Sequence, residues 1–570
     1  MKFTFDIKNP EQQYISITAE LKAEGKETIV YFPAWRPGRY ELGDFAKNVN
    51  RFQVFNEKGE TLIHQKSNKN TWRVQTGDCA NFIVKYDYYA AELNAGSTFL
   101  DETQLYVNPV NCCLFTDEAY QDSISVQLNI PKEWEVAHSL KVERNTFTAK
   151  NYDELVDSPF ICSENLQKKS FNVDKTTFYI WFNGIVKPDW NKIIDDFTAF
   201  TKTQFQAFGA FPEEEYHYLI QILPYKAYHG VEHSKSTVIT LGPSYAIFEE
   251  YYTELLGVSS HELYHTWNVK AIRPLGWTPY NFKKENYSKL GYIAEGVTTY
   301  MGDLMLFKSG VFDKQQYFLE MGTQLQKHYD NFGRFNYSVA DSSFDTWLDG
   351  YVQGAPRRKV SIYTEGCLIA FMMDIHILRN TENSKSLSDV MRNLYEKYGV
   401  HQIGITEEIY QKEVEKIAGK SMQDIFDNYV NGTKDYTNEL VECFHSIGIG
   451  IETHPAESEF AAFLGAKVIE ANQETRIVAL YPESPLENAG AMLGDKIIAI
   501  NQVEVNQDAD RWAKFFKKEP KEITISRKGK MVNVTVLDTD EVYYKRYALS
   551  QLPEEQRTEE QRKAFAAWRK

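Results

Sequence analysis

The sequence has little cysteine, and none of it lies in a spacing typical of a cross-link or a ligand set. Six of the 570 residues are cysteine, Cys112 and Cys113 are adjacent, and no pair has the C-x-x-C spacing of a zinc ribbon or redox site. Disulfide-rich scaffolds and cysteine-based metal ribbons are therefore excluded. We expect the cysteines to be free thiols.

Long apolar runs and an excess of positive charge are also missing. No stretch of about 18 apolar residues could span a membrane, and residues 1–8 lack the apolar segment of a signal peptide. We expect a cytoplasmic protein, unless an export signal has been removed. The net charge is −16 and the longest basic run is Arg357-Arg358-Lys359. Nucleic acid is not an expected partner, because phosphate binding needs a local excess of Lys and Arg.

Apolar and aromatic residues, in contrast, are plentiful. Of the 570 residues, 43% are apolar and 14% are aromatic, with 36 Tyr and 35 Phe. Large hydrophobic cores can be built from this composition. Because a chain of this length exceeds what one core organises, we expect about three or four domains.

Residues 1 to about 165 have the pattern of β-strands. Segments 14–19, 28–32 and 82–88 cluster or alternate β-branched and aromatic side chains between polar turns, which predicts antiparallel sheets. Segment 32–40 interrupts this pattern, since its two prolines lack the N–H that a strand must donate. We predict a rigid loop there and favour a structural role for it over a substrate-facing one.

After about residue 166 the apolar period becomes that of helices. A helix is predicted over 190–208, a strand over 216–223, and a second helix over 248–269, with acidic residues in its first turn. Further helices are expected at 289–307, 314–329, 364–378, 387–398, 406–418 and 422–430. The domain from 166 to about 445 is therefore predicted to be mostly α.

The second of these helices contains Ser260-His261-Glu262-Leu263-Tyr264-His265-Thr266-Trp267. On a helix, His261 and His265 lie one turn apart on the same face and can hold one metal ion. Glu262 then flanks the metal and can take a proton from the water that the metal activates. This is the pattern of zinc peptidases. Two unrelated surface histidines are the alternative, so a third ligand is required.

Glu295 is the candidate third ligand. It lies on the next predicted helix, in Ala294-Glu295-Gly296-Val297-Thr298-Thr299-Tyr300. Packing of the two helices would bring its carboxylate beside the histidines. Most single glutamates on helices face solvent, but this helix is largely apolar, and an unpaired carboxylate would be costly to bury there. Three protein ligands leave a fourth position for water, as in catalytic sites.

Longer stretches around these residues resemble one known family. His261-Glu262-Leu263-Tyr264-His265-Thr266-Trp267-Asn268-Val269-Lys270, then Ile272-Arg273-Pro274 and Glu295-Gly296-Val297-Thr298, resemble the glycyl aminopeptidase family of gluzincin zinc metallopeptidases. Phe32-Pro33-Ala34-Trp35-Arg36-Pro37-Gly38-Arg39-Tyr40 resembles the family's N-terminal signature, and Asp157-Ser158-Pro159 the start of its catalytic domain.

The resemblance spans nearly the whole chain and implies a multidomain α+β fold. The expected parts are an N-terminal β-sandwich-like domain (1–165), a mostly α thermolysin-like catalytic domain (166–445), a C-terminal PDZ-like domain (446–540) and a charged helical tail (541–570).

Two further motifs gain roles through the resemblance. Gly230-Val231-Glu232-His233 resembles the exopeptidase motif of related aminopeptidases, which assigns Gly230 and Glu232 to substrate binding, with Glu232 holding the free amino group. Tyr363-Thr364-Glu365-Gly366 resembles the motif whose tyrosine donates a hydrogen bond to the tetrahedral intermediate, which makes Tyr363 a catalytic residue. The family usually has Lys where Glu365 stands.

The last domain has short strands around one small helix and resembles a PDZ domain. Gly494-Asp495 would be its turn and Phe463-Leu464-Gly465-Ala466 its carboxylate-binding loop. Ala491 and Gln502 stand where leucine and glycine are usual. A working groove would bind a C-terminal peptide by adding a strand to the sheet edge. A purely structural module is the alternative.

The sequence thus predicts a zinc-dependent (Zn2+) aminopeptidase that removes N-terminal residues from peptides with a free N-terminus. Glu262 would be the general base toward the zinc-activated water, with Tyr363 and zinc stabilising the oxyanion. The preference for small residues, Gly or Ala, comes from the family alone. A zinc endopeptidase, in which Glu232 is structural, and a non-catalytic PDZ-type peptide-binding protein are the alternatives.

Overall fold

Alternating apolar residues in the first 165 positions form strands in the computed structural model, which describes residues 1–352 and 354–570. In the strand Tyr14–Lys22, for example, every second side chain from Ile15 to Leu21 is buried. The strands of this region are β1 (Lys2–Asp6), β2 (Tyr14–Lys22), β3 (Thr28–Tyr31), β4 (Val49–Asn56), β5 (His64–Asn68), β6 (Thr71–Val74), β7 (Asn81–Tyr89), β8 (Phe99–Leu100), β9 (Gln104–Val107), β10 (Ile124–Asn129), β11 (Glu135–His138), β12 (Thr146–Ala149) and β13 (Phe160–Ser163).

These strands form three sheets, with orders β12-β10-β1-β2-β7-β4, β11-β13-β9-β8 and β3-β6-β5. All pairs are antiparallel except β1 with β10. Two short helices, α1 (Pro109–Cys112) and α2 (Tyr152–Val156), join them. Phe5 and Phe160 meet edge to face in the shared core. All six cysteines of the chain lie in the described residues and are free thiols, as predicted.

A five-stranded sheet follows, made of β14 (Gln167–Val173), β15 (Thr176–Gly184), β16 (Glu215–Ile222), β17 (Ala227–Glu232) and β18 (Ser236–Gly242). Its order is β14-β15-β16-β18-β17. Strands β15, β16 and β18 are parallel, whereas β17 pairs antiparallel with β18 and forms one edge. The edge strand ends at Glu232, so this carboxylate stands where the sheet stops.

Helices are the commonest regular structure in the chain from residue 190 to 446. They are α3 (Trp190–Phe208), α4 (Tyr252–Tyr264), α5 (Thr298–Lys308), α6 (Lys314–Asp330), α7 (Val339–Phe344), α8 (Thr346–Asp349), α9 (Ile362–Asn380), α10 (Leu387–Leu394), α11 (Glu407–Ala418), α12 (Gln423–Ile425) and α13 (Thr437–Ser446). The bounds of α3 match the predicted helix 190–208, because Asp189 caps its N-terminus and Gly209 ends it in the left-handed region. Helix α4 is shorter than the predicted 248–269.

Contacts divide the first unit, Met1–Tyr317, Phe332–Cys443 and Glu559–Lys570, from the second, Phe318–Asn331 and Phe444–Thr558. The second unit contains β19 (Ile449–Pro455), β20 (Ala466–Ala471), β21 (Glu474–Leu480), α14 (Pro485–Asn488), β22 (Lys496–Ile500), β23 (Val503–Glu504), α15 (Ala509–Phe515), β24 (Lys521–Arg527), β25 (Lys530–Val536) and β26 (Lys545–Gln551). Strands β20-β21-β22-β24-β25 form one sheet, with β23 on β22, and β19 pairs with β26.

The prediction of a helical tail over 541–570 is wrong for its first part. Residues Lys545–Gln551 form strand β26, because β19, far earlier in the chain, supplies an antiparallel partner that local sequence does not reveal. Helix α16 (Glu559–Arg569), preceded by a 3-10 turn at Glu554–Gln556, is the helical portion of this tail. Its Trp568 is 1% exposed and packs against Phe307 and Tyr317 of the first unit.

The coarse prediction, a multidomain α+β chain with a β-rich N-terminal part and a helical part after it, is confirmed. Within the described residues, no helix combines the length and the apolar character that crossing a bilayer requires.

Candidate functional site

Helix α4 and the π-helical turn Tyr292–Val297 bring the three predicted metal ligands together. His261 and His265 approach through their Nε2 atoms, 3.0 Å apart. The Oε2 atom of Glu295 lies 3.4 Å from Nε2 of His265 and 3.8 Å from Nε2 of His261. Two nitrogens and one oxygen therefore converge on a common point, with all three atoms within 4.8 Å of one another.

The end of α4 fixes how His265 faces this point. The helix stops at Tyr264, and His265 is its C-cap. The Nδ1–H of His265 donates to the carbonyl of Asn268 at 2.7 Å, which leaves Nε2 directed at the cluster. The Asn268 side chain in turn donates to the carbonyl of Ile293 at 2.8 Å, in the turn that carries Glu295. The early helix end is thus part of the site.

The turn around Glu295 also packs closely against helix α9. A Cβ at Gly296 would collide with the backbone of Gly366, so glycine is needed at this crossing. Because α9 begins at Ile362, the close approach places its first turn, with Tyr363, beside the turn that holds Glu295. The π-helical turn itself is a feature frequent at functional sites.

The cluster is electrically balanced although it is buried. Burial lowers the pKa of His261. For His265, burial opposes protonation, but the neighbouring carboxylate of Glu295 raises its pKa to about 10. For Glu295, burial opposes ionisation, but the charge of His265 holds its pKa well below the usual range. A desolvated carboxylate and two imidazoles whose Nε2 atoms converge form a donor set that suits zinc.

Glu262 and Glu232 lie on the next side of the cluster. Glu232, Glu262 and His265 each offer an atom within 4.8 Å of the others. Glu232 is 3% exposed and Glu262 is 5% exposed. Oxygen Oε1 of Glu232 and Oε2 of Glu262 are buried without a hydrogen-bond partner. Two unsatisfied carboxylates side by side are costly, which indicates that a cationic or hydrogen-bonding ligand belongs between them.

The pKa of Glu262 reflects this crowding. Burial raises it well above its usual range, and the negative charges of Glu232 and Glu295 add to the shift. Gly230 faces the same carboxylate, and a Cβ on Gly230 would collide with Oε1 of Glu262. The structure therefore gives Gly230 a steric role, because it leaves room for the Glu262 side chain beside the edge strand.

Tyr363 lies in the small cluster of apolar side chains that includes Tyr40, Trp277 and Ile362. Its hydroxyl hydrogen-bonds that of Tyr351, while burial, followed by the charge of Glu295, raises the pKa of Tyr363 well above its usual range. The hydroxyl stays protonated and able to donate.

The departure from the family pattern at Glu365 has a local explanation. The Glu365 side chain is buried and accepts a hydrogen bond from the hydroxyl of Tyr436. Glu365, two residues after Tyr363, is therefore paired with Tyr436.

Two family models match the chain. Residues 2–164 match the Peptidase M61 N-terminal domain, and residues 254–369 match M61 glycyl aminopeptidase. The chain belongs to the M61 peptidase family. It is a metallopeptidase, and the second match contains His261, His265 and Glu295. No curated protein matches this M61 peptidase.

One solved structure shares the fold of this M61 peptidase, and a second one is less similar to it. A crystal structure of an aminopeptidase N family protein from Idiomarina loihiensis is 24% identical, covers 100% of both chains and has a TM-score of 0.91. An M1 zinc metallopeptidase from Deinococcus radiodurans, a mutant bound to a Tyr-Ser-Ala substrate, is 12% identical over 76% of this chain and 94% of its own, with a TM-score of 0.49.

The loop 32–40 of the M61 peptidase reaches the site, contrary to the structural role favoured from the sequence. The Tyr40 hydroxyl donates to Oε1 of Glu295 at 2.8 Å. Gly38, with φ +77°, lies against Oε2 of Glu232 and leaves no room for a side chain. Arg36 is 5% exposed. Sequence analysis missed these contacts because a loop between prolines has no period that indicates which way its side chains face.

A buried charge network includes His233, the residue that follows Glu232. Asp157 accepts from Nζ of Lys270 at 2.7 Å and from His233 Nδ1 at 3.1 Å. Burial opposes the ionisation of Asp157, but Lys270 and His233 hold its pKa well below the usual range. Since His233 directly follows Glu232, this network fixes the end of β17. The Asp157-Ser158-Pro159 motif thus has a structural role near the site.

Proposed function

We propose that this M61 peptidase is a zinc-dependent aminopeptidase. The observation that carries the proposal is the unpartnered Oε1 of Glu232, buried at the end of the edge strand and beside Glu262 and His265. An ammonium group would satisfy this oxygen. An unblocked N-terminus held there places the first peptide bond, rather than an internal one, over the cluster.

The residues that would hold zinc are His261, His265 and Glu295. Their two nitrogens and one oxygen converge, and His265 is held in the tautomer that offers Nε2. Zinc bound there would supply Lewis-acid chemistry, by polarising the scissile carbonyl and lowering the pKa of a water molecule.

The chain's own residues would move the proton and hold the charges. Glu262 would accept the proton of the attacking water and pass it to the leaving amine. Its pKa, raised by burial, would fall when positive charge occupies the adjacent cluster, which restores the carboxylate that a base requires. Tyr363 would donate a hydrogen bond to the oxyanion of the tetrahedral intermediate.

Three finer assignments accompany this proposal. The mostly helical part is proposed to be a thermolysin-like catalytic domain, preceded by a β-sandwich-like domain. The substrates are proposed to be peptides with small N-terminal residues, Gly or Ala, which rests on the family resemblance. A cytoplasmic location is proposed from the sequence alone.

The second unit is proposed to be a PDZ-like module for C-terminal peptides. In support, β20 is an edge strand of its sheet, and it directly follows the π-helical turn Phe460–Leu464 and Gly465, which has φ +69°. Ile469 on this edge strand is 55% exposed. An open edge beside a backbone turn is what strand addition requires.

One experiment separates the aminopeptidase from the endopeptidase. The value of kcat/KM is measured for one peptide with a free and with an acetylated N-terminus. A charge-assisted contact of about 2–4 kcal/mol predicts a roughly 30- to 1,000-fold preference for the free amine. The variant Glu232→Ala should lose most of that preference, whereas Glu249→Ala, a change at an exposed residue before α4, should keep it. Equal rates for both peptides in the parent protein would favour an endopeptidase.

Metal content tests the rest of the site. Elemental analysis of unchelated protein should give one zinc per chain, and His261→Ala should remove it. Protein without zinc, with no cleavage of either peptide, would leave the non-catalytic peptide-binding alternative.

A further inference from the structure

The two oxygens of Glu295 have different surroundings. Oxygen Oε2 faces His265 at 3.4 Å and His261 at 3.8 Å. Oxygen Oε1 accepts the hydroxyl of Tyr40 at 2.8 Å. The carboxylate is 2% exposed, so water does not compete freely for either oxygen. One oxygen is thus directed toward the ligand cluster, while the other is held by a residue from the N-terminal β-rich part of the chain.

Tyr40 is itself held rigidly. It is 2% exposed, and its ring stacks on Trp277 with a centroid distance of 4.6 Å and an interplanar angle of 22°. Five residues earlier, the Trp35 indole N–H donates to the carbonyl of Asn281 at 2.8 Å, and its ring meets Trp347 edge to face. The loop 32–40 is therefore anchored to the catalytic part at Trp35 and at Tyr40.

We infer that Tyr40 is a positioning residue for the metal ligand Glu295. Its hydroxyl holds Oε1, so that the carboxylate presents Oε2 alone to the cluster and cannot rotate to offer both oxygens. This inference rests on the proposed zinc site. Groups that hydrogen-bond a ligating carboxylate or imidazole typically change metal affinity by 10- to 100-fold when they are removed.

The hydroxyl can act only as a donor toward the carboxylate. An ionised carboxylate oxygen can only accept, so the proton of this hydrogen bond comes from Tyr40. Because the donor comes from the N-terminal part, that part is a component of the metal site rather than a separate binding module.

The test is the zinc dissociation constant of three full-length proteins, measured by competition with a chelator. Tyr40→Phe removes the hydroxyl and keeps the ring that stacks on Trp277. Tyr152→Phe is the matched control, since its buried hydroxyl donates to the carbonyl of Cys113 at 2.7 Å, in the same part of the chain. Tyr40→Phe should weaken zinc binding about 10- to 100-fold, and Tyr152→Phe should leave it within about twofold of the parent.

A second readout concerns the coordination geometry of the metal rather than its affinity. The visible absorption bands of the Co(II)-substituted protein should shift in Tyr40→Phe, because a freed carboxylate changes the geometry of the ion, and should stay unchanged in Tyr152→Phe. Tyr40→Ala also removes the ring. Comparison with Tyr40→Phe therefore separates the effect of the hydroxyl from the effect of ring packing. Equal losses of zinc affinity in Tyr40→Phe and Tyr40→Ala would assign the effect to the hydroxyl, and a loss in Tyr40→Ala alone would overturn the inference.

The remaining outcomes also decide the matter. A lower kcat for Tyr40→Phe with unchanged zinc affinity and unchanged Co(II) spectrum would overturn positioning in favour of a direct contact with substrate. Suppose that the parent protein binds zinc, that His261→Ala loses it, and that Tyr40→Phe binds it with parental affinity. That result would overturn this inference and leave the proposed function intact. Parent protein that binds no zinc would instead remove the proposed function.

Discussion

The indole N–H of Trp568 donates to the hydroxyl of Tyr300 at 2.8 Å. That hydroxyl in turn donates to Asp374 at 2.6 Å. Tyr300 lies on α5, the helix that continues from the turn of Glu295, and Asp374 lies on α9, the helix that carries Tyr363. The C-terminal helix therefore completes a buried hydrogen-bond chain between the two helices that support the site.

Removing this contact should destabilise the first unit. We expect Trp568→Ala to lower the free energy of unfolding by about 3–5 kcal/mol, because it leaves a large cavity and removes the hydrogen bond that the Tyr300 hydroxyl accepts. Denaturant unfolding measures this loss. Phe515→Ala is the control, since Phe515 is 72% exposed and its loss should change stability by less than about 0.5 kcal/mol. Similar effects of the two changes would contradict a supporting role for α16.

The contact between Trp568 and Tyr300 also affects how a C-terminal deletion is interpreted. A deletion of everything from residue 446 onward removes α16 together with most of the second unit, while the Phe318–Asn331 segment of that unit stays in the chain. Loss of activity in that truncated protein would not place the second unit in the active site.

The proposed base can be separated from the proposed ligands. Glu262→Gln should keep zinc and stability but lower kcat by about 10²- to 10⁴-fold, because the amide has a similar shape and cannot accept the proton. Zinc content and kcat of purified protein are the measurements. Turnover near the parental rate would assign proton transfer to another group.

Tyr363 should matter in the transition state only. Tyr363→Phe should lower kcat by roughly 10²-fold with little change in KM, if its hydroxyl supplies one oxyanion donor. Tyr410→Phe is a suitable comparison, because Tyr410 is fully buried on α11 and its hydroxyl contacts the sulfur of Met373. An unchanged kcat in Tyr363→Phe would give this tyrosine a packing role.

The protonation of buried His138 should make the free energy of unfolding depend on pH. Burial lowers its pKa from 6.5 to about 4, although its backbone hydrogen bonds at Leu140 and Ser158 act in the opposite direction. The unfolded chain binds this proton first as pH falls. The stabilisation is therefore complete above pH 6.5 and is lost between pH 6.5 and pH 4, by about 3 kcal/mol in total.

Urea unfolding at several pH values tests this dependence. His138→Gln should flatten the curve between pH 6.5 and pH 4, while His454→Gln, a change at a side chain that is 55% exposed, should leave it unchanged. An identical slope in His138→Gln and the parent would assign the acid sensitivity to other groups.

Local periodicity explains why part of the site was predictable. The four-residue spacing of His261 and His265 places both on one face of any helix, so their meeting needs no tertiary information. The helix 190–208 was predictable for the same reason, and its cap and terminating glycine agree with its apolar period.

The remaining contacts depend on residues far apart in sequence. Tyr40 meets Glu295 across 255 positions, and no period in a loop between prolines points to that partner. The end of α4 at Tyr264 depends on the hydrogen bonds of Asn268 to the turn around Ile293. Strand β26 depends on β19. In each case the partner that decides the local structure lies outside any window that sequence patterns cover.

The path of the chain through the two units has a consequence for proteolysis. The main segment of the second unit, Phe444–Thr558, leaves the first unit after Cys443 and returns to it at Glu559. A single cut in this segment therefore cannot free the second unit, because each fragment contains part of the first unit, and the C-terminal fragment stays anchored through Trp568. Nicked protein should migrate as one species under native conditions and as two bands only after denaturation.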